Sequence, residues 1–259
     1  MLFRSEVTNV AFTSAAGGFT NAAAVQIVAA TQLRATVPVG ATNGPLRVIS
    51  PSGTNVTSSN LTVFALAPVI TDFTPTNGLP GSAVTVNGAN FLGATNVSFN
   101  GVSATFNVTS DSQITTTVPA SATTGPISVS TPGGAVTSAA LFFLPPRLTT
   151  VSPTTGVVGT MVTLTGTNFT GTTAVTFASA NSTVVAAPIT SLGATQLVVL
   201  VPTNAITGLV TVTTPGGVIA SAGNFTVTPR VDSFSPLLGP VGTTVTVRGY
   251  SFKIGRAHV

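Results

Sequence analysis

One short segment of this chain recurs three times, and its spacing limits the possible folds more than any other feature. Each copy begins with Gln and ends with Val-Pro, at residues 32–38, 113–119 and 196–202. The closing prolines therefore stand at positions 38, 119 and 202, which gives spacings of 81 and 83 residues. Self-similarity at a nearly fixed spacing indicates an array of equivalent small domains, because each copy repeats one structural unit.

The side chains within one copy alternate as they do along a half-buried strand. Ile114, Thr116 and Val118 fall on one face of an extended segment, and the residues between them are polar or hydroxylated. About seven short strands separated by turns fill residues 67–144, and no helical periodicity interrupts them. Regular short strands of this kind predict a sandwich of two sheets with the apolar faces between them.

Turn signals divide this unit into strands. Asn100 and Gly101 readily take positive φ, so the pair predicts a tight hairpin. The Thr-Pro-Gly-Gly sequence at residues 131–134 predicts a second turn, followed by a closing strand over residues 139–143.

The segments that join one copy to the next are short and contain proline, at residues 64–68, 143–146 and 227–229. Proline fixes its own φ and holds the preceding residue in an extended conformation. The sequence therefore predicts a semi-rigid string of domains, unlike the flexible tether that a Gly/Ser-rich linker would form.

The same sequence marks recur from copy to copy. They include Phe-x-Pro at residues 73–75, paired glycines at Gly78 and Gly81, Asn-Phe at residues 90–91, and the turn at residues 131–134. Their later counterparts lie at residues 151–153, 156 and 159, 168–169, and 214–217. This pattern resembles tandem IPT/TIG domains, the immunoglobulin-like fold of plexins, Rel-type transcription factors and many bacterial surface proteins. The resemblance implies an early-set immunoglobulin-type sandwich but no single function, since the family has unrelated roles.

These observations predict an all-β chain with two complete and two partial immunoglobulin-like units. The predicted units are a partial repeat at 1–66 that lacks its first strands, complete repeats at 67–144 and 145–228, the N-terminal part of a further repeat at 229–252, and a tail at 253–259. Residues 254–259 resemble the translation of a sequencing adapter, so we interpret the tail as non-native. The partial units lead us to interpret the chain as an internal piece of a longer protein.

The composition excludes several classes of protein. Only 5% of the residues are charged and 43% are hydrophobic, the reverse of a disordered chain. The net charge of +4 comes from single, scattered arginines, whereas a nucleic-acid-binding surface needs them clustered. The sequence contains no run of about 18 apolar residues, which is the length that a helix needs to span a membrane. Residues 1–4 show no signal peptide.

No group of residues predicts catalysis or metal binding. The four acids, Glu6, Asp72, Asp111 and Asp232, are scattered along the chain, and the two that share a repeat, Asp72 and Asp111, are far apart in sequence, so no paired-carboxylate site is expected. The only histidine, His258, lies in the tail, and cysteine is absent, which leaves neither a base for a nucleophile nor a zinc site. We therefore predict no catalytic, cofactor-binding or metal-binding residues, no cofactor, and no enzymatic activity.

Two functions fit this sequence. The leading hypothesis is a non-catalytic, extracellular structural or adhesive array, a stalk or binding module of a longer bacterial surface or secreted protein. The alternative is an accessory spacer or glycan-contacting region of a secreted carbohydrate-active enzyme whose catalytic domain lies outside this segment. A Rel-like DNA-binding role would need basic loops that the chain lacks. The expected partners are neighbouring repeats of the same chain and a protein or carbohydrate ligand that the sequence does not identify.

One strand of the third repeat differs from its counterpart in the second. Val198 and Leu200 occupy the face on which the second repeat has Thr115 and Thr117. This face is either a contact patch or an unusually apolar solvent face, and the sequence leaves both interpretations open.

Overall fold

A computed structural model describes residues 7–180 and 183–252 of the chain. Every named element in these residues is a β-strand, which confirms the predicted all-β class. The same residues contain no helix long and apolar enough to cross a membrane. Glu6, His258 and the whole predicted tail at 253–259 lie outside the described residues.

The first repeat contributes one four-stranded sheet and a separate hairpin. Its strands are β1 (Asn9–Ser14), β2 (Phe19–Asn21), β3 (Ala24–Ala29), β4 (Gln32–Thr36), β5 (Ala41–Ser50) and β6 (Gly53–Leu61). The sheet has the order β2-β1-β5-β6, and β3 pairs only with β4.

The second repeat contains two four-stranded antiparallel sheets. Its strands are β7 (Val69–Thr74), β8 (Ala83–Ala89), β9 (Asn96–Phe99), β10 (Val102–Ser103), β11 (Phe106–Ser110), β12 (Gln113–Thr117), β13 (Gly125–Thr131) and β14 (Gly134–Phe142). One sheet has the order β10-β9-β13-β14 and the other β11-β12-β8-β7. Buried residues from both sheets belong to one hydrophobic cluster, as a sandwich requires.

The third repeat has the same two sheets and a short additional pair. Its strands are β15 (Arg147–Ser152), β16 (Thr155–Gly156), β17 (Met161–Thr167), β18 (Ala174–Ser179), β19 (Val184–Ala186), β20 (Ile189–Leu192), β21 (Gln196–Leu200), β22 (Ala205–Thr214), β23 (Gly217–Ala220) and β24 (Thr226–Val227). The sheets are β15-β17-β21-β20 and β19-β18-β22-β23, and β16 pairs in parallel with β24. The last two strands, β25 (Arg230–Ser235) and β26 (Thr246–Tyr250), form an antiparallel pair.

The buried side chains are those that the alternation predicted. Ile114, Thr116 and Val118 are buried, as are their counterparts Leu197, Val199 and Val201 in the third repeat. The two complete repeats have separate core clusters, each built around an edge-to-face pair of phenylalanines. The ring centroids of Phe99 and Phe142 are 5.1 Å apart in the second repeat. Each sandwich therefore has a hydrophobic core of its own.

The turns agree with the sequence in one case and extend the prediction in another. Asn100 and Gly101 both have positive φ, and they close the predicted β9–β10 hairpin. The closing strand β14 begins at Gly134, earlier than the predicted 139–143, because Gly134 pairs directly with Thr131. A two-residue turn needs no further loop, so the strand continues without interruption from the turn.

Candidate functional site: the joints between repeats

The acidic residues singled out by sequence have separate, ordinary contacts. Asp72 accepts a hydrogen bond from Asn87 Nδ2 (2.6 Å), and Asp232 forms an ion pair with Arg230 (2.7 Å). Asp111 lies at the turn between β11 and β12. In residues 7–180 and 183–252, no three His, Cys, Asp or Glu side chains lie close enough to hold a metal ion. These contacts are those of surface and turn residues.

The contacts that recur lie where the chain passes from one repeat to the next. We call these segments joint 1 (residues 63–69), joint 2 (residues 144–147) and joint 3 (residues 227–230). Each begins with a backbone N–H that donates to a side-chain oxygen of the preceding repeat. The pairs are Val63 to Asn43 Oδ1 (2.7 Å), Leu144 to Thr124 Oγ1 (3.0 Å) and Val227 to Thr207 Oγ1 (3.0 Å).

The asparagine of each Asn-Phe mark binds the incoming joint from the other side. Asn90 Nδ2 donates to the carbonyl of Ala67, and Asn168 Nδ2 donates to the carbonyl of Pro145, both at 2.9 Å. Both asparagines have φ of 62°. Asparagine suits this position because it tolerates the left-handed conformation and carries an amide donor.

The Thr-Pro-Gly-Gly turn closes over the same segment. A Cβ on Gly133 would overlap the carbonyl group of Leu66, and a Cβ on Gly216 would overlap the carbonyl group of Leu144. Only glycine permits this approach, so the turn and the asparagine together enclose the incoming joint.

Joint 2 also carries hydrogen bonds from one repeat to the other. The backbone N–H of Thr124 donates to Asn168 Oδ1 (3.0 Å), so both polar atoms of the Asn168 amide are used. Asn77 of the second repeat donates through Nδ2 to the carbonyl of Pro215 in the third (3.1 Å). Leu144 is 3% exposed and belongs to the core of the second repeat. The two sandwiches are thus fixed to each other at several points.

Joint 3 has contacts of the same kind with different residues. Arg230 Nη1 donates to the carbonyl of Val158 (3.4 Å). Ser251, which replaces the asparagine of the Asn-Phe mark, has φ of 59° and donates through Oγ to the carbonyl of Ala205 (3.5 Å). Ser251 thus has the positive φ of Asn90 and Asn168, but its side-chain hydrogen bond is longer than the 2.9 Å bonds of those asparagines.

Sequence reasoning identified these asparagines and glycines as marks of the fold and missed their place at the joints. A signal was available: the Asn-Phe and Thr-Pro-Gly-Gly marks both occur in the two repeats that follow a proline-containing joint. A contact between residues so far apart in sequence, such as Asn77 and Pro215, had no such signal.

Several solved structures are similar to this chain. A structure with a xylogluco-oligosaccharide is 26% identical over 74% of this chain and 50% of its own, with a TM-score of 0.33. SGBP-B from a complex xyloglucan utilization locus in Bacteroides uniformis is 24% identical over 61% and 49%, with a TM-score of 0.32. The surface glycan-binding protein PbSGBP-B from Prevotella bryantii is 16% identical over 65% and 40%, with a TM-score of 0.36. This chain thus spans half or less of the length of these proteins, and no curated protein matches it.

The family assignment comes from the sequence of the two complete repeats. The model of the IPT/TIG domain matches residues 68–144 and again residues 146–227, which together make up well over half of the chain. Both matched segments are the antiparallel sandwiches described above, joined in tandem. The chain therefore belongs to the IPT/TIG domain family.

Proposed function

We propose that this chain is a non-catalytic array in the extracellular part of a longer surface or secreted protein of a bacterium. Its repeats would act as a stalk or binding module that holds a protein- or carbohydrate-binding surface at a defined distance. The observation that carries this proposal is the recurring joint, in which side chains of adjacent repeats bind the segment between them.

Joint 2 has little conformational freedom, which is the property that a stalk requires. Pro145 and Pro146 fix two successive φ angles. Leu144 is anchored by its N–H and by burial of its side chain, and Asn168 of the third repeat binds both the second repeat and the joint itself. Because rotation would break several of these contacts together, the two sandwiches keep one relative orientation.

The proposed extracellular setting rests on the family and on the low content of charged residues, whereas the absence of cysteine fits an extracellular and a cytosolic protein equally. The chain has few charged residues and no cysteine, and tandem IPT/TIG units are joined by short connections. The stability of each complete repeat comes from a packed apolar core in place of disulfides.

Small-angle X-ray scattering of Asn168→Gly tests the joint. Glycine keeps the positive φ of Asn168 but removes the amide, so the backbone conformation is retained while two hydrogen bonds are lost. We expect an elongated wild-type particle and a broader range of shapes for the variant. Asn204→Gly is the control, since Asn204 also has positive φ (67°) but lies within the third repeat. A compact wild-type particle would contradict the array.

The ligand class needs a separate measurement. Calorimetric titration of the chain with a xylogluco-oligosaccharide distinguishes a glycan-contacting role from a purely structural one. Heat that saturates at one equivalent or more supports the accessory, glycan-contacting alternative. A flat titration supports the spacer role for this segment, with binding left to a protein ligand or to another part of the protein.

A further inference from the structure

Joint 1 differs from joint 2 in where its two anchors lie. In joint 2 a single residue, Leu144, is held on both sides: its N–H binds Thr124, and its carbonyl lies against Gly216 of the next repeat. In joint 1 the corresponding anchors are different residues. The N–H of Val63 binds Asn43, whereas the carbonyl that lies against the glycine turn belongs to Leu66, three positions later.

The other ends of the joints confirm that joint 1 is longer. Three glycines follow the Val-Thr-Val or Val-Thr-Leu segment of a repeat, and each lies against the carbonyl of the first strand residue of that repeat; they are Gly88, Gly166 and Gly249. Those carbonyls belong to Val69, Arg147 and Arg230. The first strand residue follows the residue with the anchored N–H by three positions in joint 2 (Leu144 to Arg147) and in joint 3 (Val227 to Arg230). In joint 1 it follows by six positions (Val63 to Val69).

The additional residues of joint 1 have few contacts to hold them. Residues 62–68 have no regular secondary structure. The side chains of Phe64 and Leu66 are 77% and 61% exposed, whereas Leu144 of joint 2 is 3% exposed. Only Pro68 restricts φ, where joint 2 has two prolines in succession.

The two repeats on either side of joint 1 also lack direct hydrogen bonds. Within the part of the chain that the structure describes, no hydrogen bond connects residues 7–63 with residues 68–144. A cleft of about 1030 Å³ separates them instead, with Val39 and Phe64 on one side and Leu92 and Pro132 on the other. This space leaves room for the two repeats to move relative to each other.

We propose that joint 1 is a hinge at which bending of the array is concentrated, while joint 2 holds its two repeats in one orientation. This inference rests on the proposed function, since a hinge has meaning only in an otherwise stiff array. A few loop residues that can change φ and ψ are sufficient for such a motion. A flexible spacer of three residues has an r.m.s. end-to-end distance of roughly 10 Å. The apolar walls of the cleft favour its closure, because closure removes Phe64 and Leu66 from water.

Pulsed electron–electron double resonance between two spin labels tests this hinge. The chain has no cysteine, so two introduced cysteines are the only labelling sites. The pair Ser58→Cys and Ser103→Cys reports on joint 1, and the pair Ser103→Cys and Ser191→Cys reports on joint 2; all three positions are exposed. We expect the distance distribution across joint 1 to be at least about twofold broader than that across joint 2.

Two reciprocal variants separate the spacer from other causes of motion. Deletion of residues 64–66 gives joint 1 the length of joint 2, and we expect its distance distribution to narrow to that of joint 2. Insertion of Phe-Ala-Leu after Leu144 gives joint 2 the length of joint 1, and we expect its distribution to broaden. Circular dichroism melts of both variants establish that the sandwiches remain folded.

The outcomes distinguish this inference from the proposed function. Two narrow distributions would overturn the hinge and leave the stiff array intact. Two broad distributions would overturn both. If the distance distribution across joint 1 is broad and deletion of residues 64–66 does not narrow it, these residues are not the cause of the motion and the hinge proposal is overturned.

Discussion

Gly166 illustrates how single residues determine this fold. It lies in β17, where the strand passes the first strand of its repeat so closely that a Cβ would overlap the carbonyl of Arg147 and the ring of Phe169. Gly88 and Gly249 meet the same two obstacles in their own repeats. The glycine at this position of each repeat is therefore required for packing and not for a turn, since none of the three has positive φ.

We predict that Gly166→Ala lowers the free energy of unfolding of the third repeat by about 3 kcal/mol, because the strands must separate to admit the methyl group. Gly223→Ala is the matched control. Gly223 lies in the same repeat, without positive φ and with open space where a Cβ would stand, so its change should stay within about 0.5 kcal/mol. Urea denaturation measures both, and equal losses would contradict the packing argument.

The sequence predicted which residues recur but not why they recur. The alternation of Ile114, Thr116 and Val118 was sufficient to assign their buried face, because that pattern is local. The role of Gly88 or Asn90 depends on a carbonyl group about twenty residues earlier in the chain, and no local rule gives that contact. Recurrence identified these residues as important, and only the structure supplied the physical reason.

At the scale of elements, each complete repeat is an independent sandwich. The core cluster of the second repeat shares no residue with that of the third, and each contains its own edge-to-face phenylalanine pair. Phe177 and Phe225 form that pair in the third repeat, with ring centroids 5.3 Å apart. Stability of the chain is therefore close to a sum of repeat stabilities plus a smaller contribution from each joint.

We predict that Phe177→Leu lowers the melting temperature of the third repeat by about 5 °C or more and leaves that of the second repeat nearly unchanged. The loss of an aromatic pair costs on the order of 1 kcal/mol, which shifts a domain of this size by several degrees. Differential scanning calorimetry resolves the two transitions. Phe99→Leu should lower the melting temperature of the second repeat and leave that of the third nearly unchanged. If either variant shifted both transitions by the same amount, the two repeats would unfold as a single cooperative unit, which would contradict this prediction.

The outer face of β21 is more apolar than the corresponding face of β12 in the second repeat. Val198 and Leu200 are half-buried on that face, as the alternation predicted, and Leu200 pairs across the sheet with the exposed Met161. The interpretation of this face as a contact patch stays a prediction. Its location was readable from sequence because a two-residue period assigns the faces of any strand.

We predict that the double variant Val198→Thr, Leu200→Thr, which copies the second repeat, changes stability by less than about 1 kcal/mol. A contact patch further requires the variant to associate less than the wild type at high concentration, which sedimentation velocity measures. Val199→Thr is the control within the same strand. Val199 is fully buried, so its substitution should cost about 1–3 kcal/mol by placing a hydroxyl group in the core.

At the scale of the whole molecule, the joints decide how the sandwiches act together. Short proline-containing connections predicted a semi-rigid string of repeats, and joint 2 has contacts of the kind that such a string needs. The greater length of joint 1 was not predictable from the sequence, because the ends of a joint are defined by the residues that bind it in the folded structure. Asn43 and Gly133, which anchor its two ends, belong to different repeats and lie far apart in sequence.

The chemistry of the anchors has a consequence for the conditions in which the molecule works. Asn168 holds joint 2 through an amide that binds a backbone N–H and a backbone carbonyl, and none of these groups carries a charge or titrates. Dissolved ions screen attractions between charges but have little effect on bonds of this kind. Joint 2 therefore holds its two repeats in the same way in fresh water and in brine, and acidification does not loosen it.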